Sequence, residues 1–423
     1  MPESVLLSPT GKASQPDAAV NSKGSLMVVW SGGQAGEIYF SQAEAARAGV
    51  ADAWASPVRL PSPQPVGSSP DILIGPDNKI YVVYAIPLNE ERGIYLTISD
   101  DDGASWSTPV RVFDAVAAGW EMVDSPKLAL TGNGHLHVLW TRYSLPSGPG
   151  PMSMYYSRSE DGGQSWSNPE TVVDKPVGWS SLAGVSKQTV HRVWQELGSG
   201  GTTIWHEQSN DDGATWVRTA PVSVFGDIVN QPSLTWDSAG RLDLMQIVSR
   251  GESNFILQHF LYDGSTWSSE QSLNLNSLSL NSLGSLVADV SSKGNLVILF
   301  TGLSGDVSAG TEQDDLIFTR RSMDLPQGEA TPAPIVATAA PTTSTSTEDV
   351  AATATPQLTT PTLAATAGRY PLTPTPLGSF TSGPRPPANT SFMATLGPIV
   401  LVLVVFVVIV VGVVIYRSGI IQL

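Results

Sequence analysis

The stretches SDDDGASW (99–106), SEDGGQSW (159–166) and SNDDGATW (209–216) share one pattern, Ser-x-Asp-x-Gly-x-x-Trp. In such a turn the Asp carboxylate accepts hydrogen bonds from backbone N–H groups, Gly permits a positive φ, and Trp packs between sheets. A carboxylate used by its own turn is not free for catalysis, so we interpret these residues as structural. They are Ser99, Asp101, Gly103, Trp106, Ser159, Asp161, Gly163, Trp166, Ser209, Asp211, Gly213 and Trp216.

A longer repeat frames these turns. Six strand-like segments end at Trp30, Tyr84, Trp140, Trp194, Gln246 and Phe300, at spacings of 54, 56, 54, 52 and 54 residues. Each segment follows one strand and a turn, and further strands come after it. Four strands that recur at such a period are typical of β-propeller blades. The sixth repeat lacks its fourth strand, and we expect residues 3–9 (ESVLLSP) to complete that blade and close the ring.

On these motifs the chain resembles sialidase-like propellers with bacterial-neuraminidase (BNR) repeats, whose turns are called Asp boxes. The resemblance covers residues 1–325 and implies an all-β, six-bladed propeller. In that family the Asp boxes lie opposite the active face. On the active face three arginines bind the sialate carboxylate, a Tyr–Glu pair supplies the nucleophile and an Asp acts as acid/base. Arginine suits this role because its guanidinium pairs with a carboxylate through two hydrogen bonds.

The chain departs from the family pattern at two defining positions. Where the family has its first arginine, in an Arg-Ile-Pro motif, this chain has Gln15-Pro16-Asp17, and its last inner strand, GSLVADV, has no tyrosine. These departures favour a binding module without the usual sialidase catalytic residues. The candidates for a substitute catalytic site in the upper-face loops are Arg92, Arg142, Arg250, Glu121, Asp124 and Asp227, and the candidates for stacking on a sugar ring are Trp120 and Trp179.

Three hypotheses follow for residues 1–325. The first is a non-catalytic module that binds a glycan or a protein through the upper face of the ring. The second is an exo-acting glycoside hydrolase of the exo-α-sialidase type, and the third is a structural protein that merely presents loops. His137 and His191 share one repeat position, but unlike residues fill it in the other repeats, which favours packing over a metal pair. We expect no metal, no cofactor and a monomer.

The remaining chain has the composition of a stalk and a membrane anchor. Residues 326–393 are rich in Pro, Thr and Ala, and a segment of this composition is expected to stay disordered. Residues 394–416 (ATLGPIVLVLVVFVVIVVGVVIY) carry no charge and are long enough for one transmembrane helix, with a short tail at 417–423. The formal net charge of −16 argues against nucleic acid as a partner.

The location of the propeller is predicted less directly. Residues 1–20 lack a basic start followed by an apolar core, so no export signal is recognised there. Either the gene start is misplaced, or the protein is tail-anchored with its propeller in the cytosol. A stalk makes most physical sense outside the cell, and we therefore expect a single-pass protein of the cell membrane with an extracellular propeller.

Overall fold

The computed structural model describes part of the chain, and every structural statement below refers to that part. It comprises residues 13–33, 36–145, 150–196, 203–223, 227–228, 232–236, 240–251, 254–276, 281–290, 295–304 and 313–322. The chain divides into the units Met1–Thr338 and Ala339–Leu423, and all described residues belong to the first. The predicted strand at 3–9, stalk at 326–393, membrane segment at 394–416 and tail at 417–423 lie outside them.

The described residues form six antiparallel sheets, numbered here along the chain. Sheets 1 to 3 contain β1 Ala13–Val20, β2 Ser25–Gly32, β3 Glu37–Glu44, β4 Val58–Arg59; β5 Ser68–Ile74, β6 Ile80–Ile86, β7 Gly93–Ser99, β8 Val110–Asp114; β9 Met122–Leu130, β10 Leu136–Ser144, β11 Gly150–Ser159 and β12 Glu170–Val173. Sheets 4 to 6 contain β13 Val177–Gly184, β14 Val190–Glu196, β15 Thr203–Ser209, β16 Val217–Arg218, β17 Val222–Ser223; β18 Asp227–Ile228, β19 Ser233–Trp236, β20 Leu242–Ser249, β21 Phe255–Tyr262, β22 Trp267–Asn274; β23 Ser282–Val290, β24 Asn295–Ser304 and β25 Gln313–Ser322.

This arrangement is the predicted all-β propeller, but the predicted number of blades needs correction. Sheets 1 to 5 have at least four strands each, whereas sheet 6 has the three strands β23, β24 and β25. The described residues therefore form five complete blades rather than six. The only helices among them are two short 3-10 turns, Ala45–Arg47 and Ala51–Ala53, and none is long and apolar enough to cross a membrane.

Apolar side chains hold neighbouring sheets together. Each hydrophobic cluster combines residues of two sheets, as where Trp140 of sheet 3 packs with Leu96 and Phe113 of sheet 2. Another cluster joins Val287 of sheet 6 to Leu26 of sheet 1. Strands supply such clusters because alternate side chains point to opposite faces, and a sheet between two neighbours buries both faces.

A belt of hydrogen bonds links the innermost strands around the axis. In sheets 1, 2, 4 and 5, a side-chain oxygen at the equivalent position of the inner strand accepts a backbone N–H from the inner strand of the next sheet. These bonds run from Ile72 to Asp17 (2.7 Å), from Leu128 to Asp71 (2.8 Å), from Leu234 to Ser181 (3.2 Å) and from Ala288 to Ser233 (2.8 Å). The N–H of Val20 donates to Asp289 at 3.0 Å, which links sheet 6 to sheet 1. We call this set the axial belt.

Lys127 occupies the belt position in sheet 3, where its ammonium group cannot accept a hydrogen bond. Instead Nζ of Lys127 donates to Oδ1 of Asp71, and both side chains are about nine-tenths buried. Burial alone lowers the pKa of Lys127, but the carboxyl groups of Asp71 and Asp17 raise it above its ordinary value. Burial and the neighbouring Asp71 raise the pKa of Asp17 to about 8. The axial belt thus contains a group of three neighbouring titratable residues, of which Asp71 and Lys127 are buried.

The Asp-box turns are held by their own polar atoms. In the turn after β7, Oγ of Ser99 donates to Asp101 at 2.8 Å and accepts the N–H of Gly103 at 2.9 Å. The hydroxyl and the N–H of Ser105 donate to Asp101 at 2.6 and 2.8 Å, and these bonds, together with the one from Ser99, lower the pKa of Asp101. The turns after β11 and β15 repeat the Ser–Asp and Gly–Ser bonds.

Each box glycine also lies against the preceding sheet. A Cβ atom at Gly213 would lie 1.8 Å from the hydroxyl of Tyr156, where φ is +75°. We expect Gly213→Ala to destabilise the fold by about 2–4 kcal/mol, because overpacking adds to an unfavourable φ. Gly240 has the same φ but nothing within 4 Å of a built Cβ, so Gly240→Ala is the matched control. Urea unfolding of both variants measures the difference, and equal losses would contradict the role of the close contact.

Candidate functional site

The antiparallel order of the strands assigns each loop to one of two faces. The loops between second and third strands and the connections between sheets lie at one end, which we call the upper face. The Asp boxes and the turns between first and second strands lie at the other end, the lower face. The upper face is therefore where the candidate site residues of the sequence analysis belong.

The inner strands are irregular where they begin at the upper face. The pairing register shifts in β1, β5, β9, β13 and β23. In the first three of these strands the shift coincides with positive φ at Gln15 (53°), Ser69 (46°) and Ser125 (57°). Each of these residues precedes a proline. Such backbone conformations store strain, and β-bulges near functional sites redirect side chains.

Trp179 occupies the equivalent position in sheet 4. Ser181 pairs with Val193 at the strand position where Lys127 pairs with Leu139 in sheet 3. Trp179 lies two residues before Ser181 and Ser125 lies two residues before Lys127, so Trp179 and Ser125 are equivalent. Its side chain is 40% exposed. A large, partly exposed aromatic residue thus occupies the position where sheets 1 to 3 carry the polar residues Gln15, Ser69 and Ser125.

A chain of polar contacts connects the first three sheets at this end. The N–H of Ser69 donates to Oε1 of Gln15 at 2.9 Å. The hydroxyl of Ser68 donates to Oδ1 of Asp124 at 2.8 Å. Asp124 also accepts the N–H of Ser125 at 2.7 Å, and the Ser125 hydroxyl lies 3.3 Å from that of Tyr143. Burial raises the pKa of Asp124 and that of Tyr143.

Two of the candidate arginines engage Trp120. Nε of Arg92 donates to the carbonyl oxygen of Trp120 at 2.5 Å, and the guanidinium of Arg142 lies 5.1 Å from the centre of its ring. Arg250 lies in sheet 5, in the turn between β20 and β21, where its N–H donates to the carbonyl of Asn254. Arg92 and Arg142 therefore support a tryptophan instead of forming an open carboxylate clamp.

The other candidates differ in what they offer to a ligand. Glu121 accepts the N–H of Leu145 at 2.9 Å and thereby ties one upper-face loop to another. The ring of Trp120 packs between Phe113 and Tyr155, with centroids 4.5 and 4.4 Å away. Asp227 lies in β18, and its side chain is outside the described residues. Asp124 and Trp179 are thus the two candidates best placed for recognition.

Exposed apolar side chains also lie at the upper-face end of the ring. They are Leu88, Val116, Leu145, Met152 and Trp179, and all of them belong to upper-face segments of sheets 2 to 4. The segments contact one another, since the N–H of Val123 donates to the carbonyl of Pro87 and Arg92 bonds to Trp120. We call the set formed by Asp124, Ser125, Tyr143 and Trp179 the upper-face site.

Several features of the site were not anticipated from the sequence. Tyr143 and Ser68 follow no motif, and only their contacts with Ser125 and Asp124 reveal them. His137 and His191 do not meet, because Nδ1 of His137 lies 2.7 Å from the Tyr156 hydroxyl whereas His191 contacts His206. Within the described ranges, no group of three or more His, Asp or Glu side chains is arranged to hold a metal ion.

Comparison with solved structures finds similar folds in sialidases and in an arabinofuranosidase. A Hadza microbial sialidase, Hz136, is 17% identical with a TM-score of 0.52, over 74% of this chain and 66% of that protein. The intramolecular trans-sialidase of Ruminococcus gnavus, solved with oseltamivir carboxylate, is 11% identical with a TM-score of 0.53, over 74% and 95%. An α-L-arabinofuranosidase of Fusarium graminearum is 12% identical with a TM-score of 0.50, over 73% and 93%. Identities this low show a shared fold alone.

Sequence comparison identifies the family directly. No curated protein matches the chain significantly. Residues 88–325, which are more than half of the chain, match the family profile described as a BNR repeat-like domain. The three Asp-box turns, which are characteristic of BNR repeats, all lie within that range. The chain therefore belongs to the family of BNR repeat-like domains.

Proposed function

We propose that the upper-face site binds a glycan. The observation that carries this proposal is Trp179, a 40% exposed aromatic ring at the inner-strand position that is polar in sheets 1 to 3. Sugar recognition combines an apolar ring face with hydrogen-bonding groups in fixed positions. Asp124, Ser125 and Tyr143 supply such groups, and their mutual contacts hold them in place. Similarity of the fold to sialidases and to an arabinofuranosidase adds support.

Glycan binding depends on the exposed tryptophan if this proposal is right. We expect Trp179→Ala to weaken binding at least tenfold, since truncating an aromatic residue on which binding depends costs about 2 kcal/mol or more, and about 1.4 kcal/mol corresponds to tenfold. Trp236→Ala is the matched control, because Trp236 is 42% exposed but lies at the lower-face end of β19. A glycan array followed by calorimetry on the best ligand measures both variants. Unchanged binding by Trp179→Ala would remove the proposal, and binding of proteins but not of glycans would favour a protein ligand.

A glycoside hydrolase is the second candidate, and Asp124 is the observation that favours it. Burial raises the pKa of this carboxyl, which increases the fraction that is protonated near neutral pH. A protonated carboxyl can act as a general acid towards a glycosidic oxygen, and Tyr143 lies beyond Ser125 in the same chain of contacts. Hydrolysis of a panel of fluorogenic glycosides, including a sialoside, tests this candidate. Activity that disappears in Asp124→Asn would establish this candidate. If the wild type hydrolyses none of the glycosides, glycan binding without catalysis remains as the proposed function.

The architecture that we propose places this site at a cell surface. A contact between Val20 and Asp289 links sheets 6 and 1 and supports closure of the ring. Residues 394–416 form one transmembrane helix, and residues 326–393 hold the extracellular propeller away from the bilayer as a disordered stalk. The apolar length of the first segment and the Pro/Thr-rich composition of the second support this arrangement.

A further inference from the structure

The charges at the upper-face end of sheets 2 to 4 are unbalanced. This end comprises the loops after β6, β8, β10 and β12, the strand ends that adjoin them and the end of β14. Its described residues carry seven carboxyl groups, those of Glu90, Glu91, Asp114, Glu121, Asp124, Asp174 and Glu196, and four cations, Arg92, Arg111, Arg142 and Lys175. A ligand that approaches the upper-face site therefore meets an excess of negative charge.

Two of the four cations are paired with carboxyl groups of the same end. Arg111 contacts Glu91 and donates to Oδ2 of Asp114 at 2.6 Å. Nζ of Lys175 lies 3.7 Å from Oε2 of Glu196. A cation that already has a carboxylate partner would have to leave it in order to pair with an anionic ligand, so neither of these cations is set up to receive one.

The other two cations are engaged at Trp120. Nε of Arg92 donates to the carbonyl oxygen of Trp120 and Nη1 of Arg92 donates to that of Asn89 at 2.8 Å. The guanidinium of Arg142 lies over the ring of Trp120, and its Nε is buried. Among the described residues, neither arginine forms a hydrogen bond or an ion pair with a member of the upper-face site. The four cations thus offer the site no ready partner for an anion.

Asp124 places a fixed carboxyl group within the site itself. Its Oδ1 accepts the Ser68 hydroxyl and the N–H of Ser125, which hold the group at the beginning of β9. Asp124 is partly buried, whereas Glu121 is exposed, so water and salt screen Asp124 less. A carboxylate accepts hydrogen bonds and cannot donate them, so it suits the hydroxyl groups of a sugar. A carboxylate or sulfate group of a ligand would face it with a second acceptor and a like charge.

We propose that the upper-face site selects uncharged sugars and excludes those that carry a carboxylate or a sulfate group, with Asp124 as the residue that determines this specificity. The inference rests on the glycan-binding function proposed above and adds the class of ligand. Trp179 contacts such a sugar through the face of its ring, which requires no charge on the ligand. Asp124 accepts from the sugar hydroxyl groups, and the hydroxyl groups of Ser125 and Tyr143 can donate as well as accept.

Pairs of sugars that differ by one acidic group test the proposal on the full chain. The pairs are N-acetyllactosamine with its sulfated form, and the methyl glycosides of galacturonamide and glucuronamide with those of the corresponding uronic acids, which have nearly the same shape but a different charge. We expect at least one uncharged member to bind about tenfold or more tightly than its acidic counterpart in calorimetry at neutral pH. An acidic member that binds as tightly as its uncharged counterpart would overturn this inference and leave the proposed glycan binding intact. If neither these sugars nor any glycan of the array binds, the proposed function fails and this inference fails with it.

Two substitutions assign the discrimination to a residue. Asp124→Asn removes the charge but keeps an oxygen that can accept from Ser68 and Ser125, and the ratio of uncharged to acidic affinity should fall about fivefold or more. Glu121→Gln is the matched control, since it removes an exposed charge of the same face and keeps an oxygen for the N–H of Leu145. It should change the ratio by less than about twofold. Both affinities of a ratio come from one variant, so a partial loss of folded protein leaves the ratio unaffected. An unchanged ratio in Asp124→Asn, or an equal fall in both variants, would overturn the assignment to Asp124.

Discussion

Lys127→Met is expected to destabilise the protein by about 3–5 kcal/mol. The substitution removes the ammonium group but keeps most of the apolar stem, so the carboxylate of Asp71 stays buried without its partner. Breaking one half of a buried ion pair is strongly unfavourable, because the remaining charge has neither water nor a countercharge. The free energy of unfolding, from urea titration at pH 8, measures the loss.

A double variant and a surface control make this prediction specific. Asp71→Asn together with Lys127→Met removes both charges and should recover most of the lost stability, since neutral replacements of buried pairs are often well tolerated. Lys23→Met breaks a pair with Asp102 in which both side chains are about half exposed, and it should cost less than about 1 kcal/mol. If Lys127→Met costs no more than Lys23→Met, the buried axial charges have no structural importance.

Acidification from pH 7 to pH 5 is expected to produce the second large effect, a loss of stability of several kcal/mol. Burial lowers the pKa of His137 and of His191 to about 3 and that of His206 to about 2. The unfolded chain takes up these protons near pH 6.5, whereas the folded chain does not, so stability falls as the pH falls below 6.5. At pH 5 the loss is about 2 kcal/mol for each histidine.

The surroundings of His206 explain why it stays neutral. Its Nδ1 accepts from Trp267 Nε1 at 3.2 Å and lies 2.5 Å from the Thr219 hydroxyl, while its Nε2 lies 2.9 Å from Nδ1 of His191. Protonation at Nδ1 would set an N–H against the N–H of Trp267. His191 is the titratable group bonded to it, and Tyr262 packs edge-on against its ring.

Over part of the same pH range, the titration of Asp17 changes the stability in the opposite direction from that of the histidines. Its pKa of about 8 means that the folded chain binds a proton that the unfolded chain releases, so lowering the pH towards 4 favours folding through this group. The Asp17→Asn variant should therefore lose stability more steeply between pH 7 and pH 5 than the wild type. His206→Asn should lose it less steeply. Urea midpoints across this interval measure the slopes, and a flat wild-type profile that Asp17→Asn does not steepen would contradict the account.

The propeller was predictable because its signals are local and repeated. Each Asp box is closed by hydrogen bonds between residues no more than four apart in sequence, so three copies in one frame reveal both the turn and the period. The count of complete blades was not predicted correctly, since the strand expected to finish sheet 6 comes from residues 3–9, outside the described part. The repeat frame shows that sheet 6 lacks a fourth strand after β25, but it does not by itself show which distant segment pairs there.

The candidate site was predictable only in part. Asp124 and Trp179 were both candidates from the sequence. Sheets 1 to 3 have a polar residue followed by proline at the start of the inner strand, but sheet 4 has Trp179-Ser180, and only the strand pairing shows that Trp179 is equivalent to those polar residues. Asp263 was also missed as the capping residue of the turn before β22, where it accepts the N–H groups of Ser265 and Thr266. One-residue shifts of this kind are invisible without the register.

The axial charges had a signal that sequence reasoning did not use. Asp17, Asp71 and Lys127 share one repeat position, each directly after a proline. Charged residues in three successive inner strands are unusual, because inner strands are buried and isolated charges are disfavoured there. The repeat frame alone does not say whether such residues face the axis or a neighbouring sheet, and so their meeting required the structure.

The central claim is that the upper-face site binds a glycan through Trp179. Fluorine NMR on protein labelled with 5-fluorotryptophan tests it most directly, with Trp179→Phe and Trp236→Phe to assign the two exposed rings. On addition of the best glycan from the array, the account predicts a saturable shift of the Trp179 resonance and no change at Trp236. A saturable shift confined to other tryptophans, with Trp179 unmoved, would contradict it.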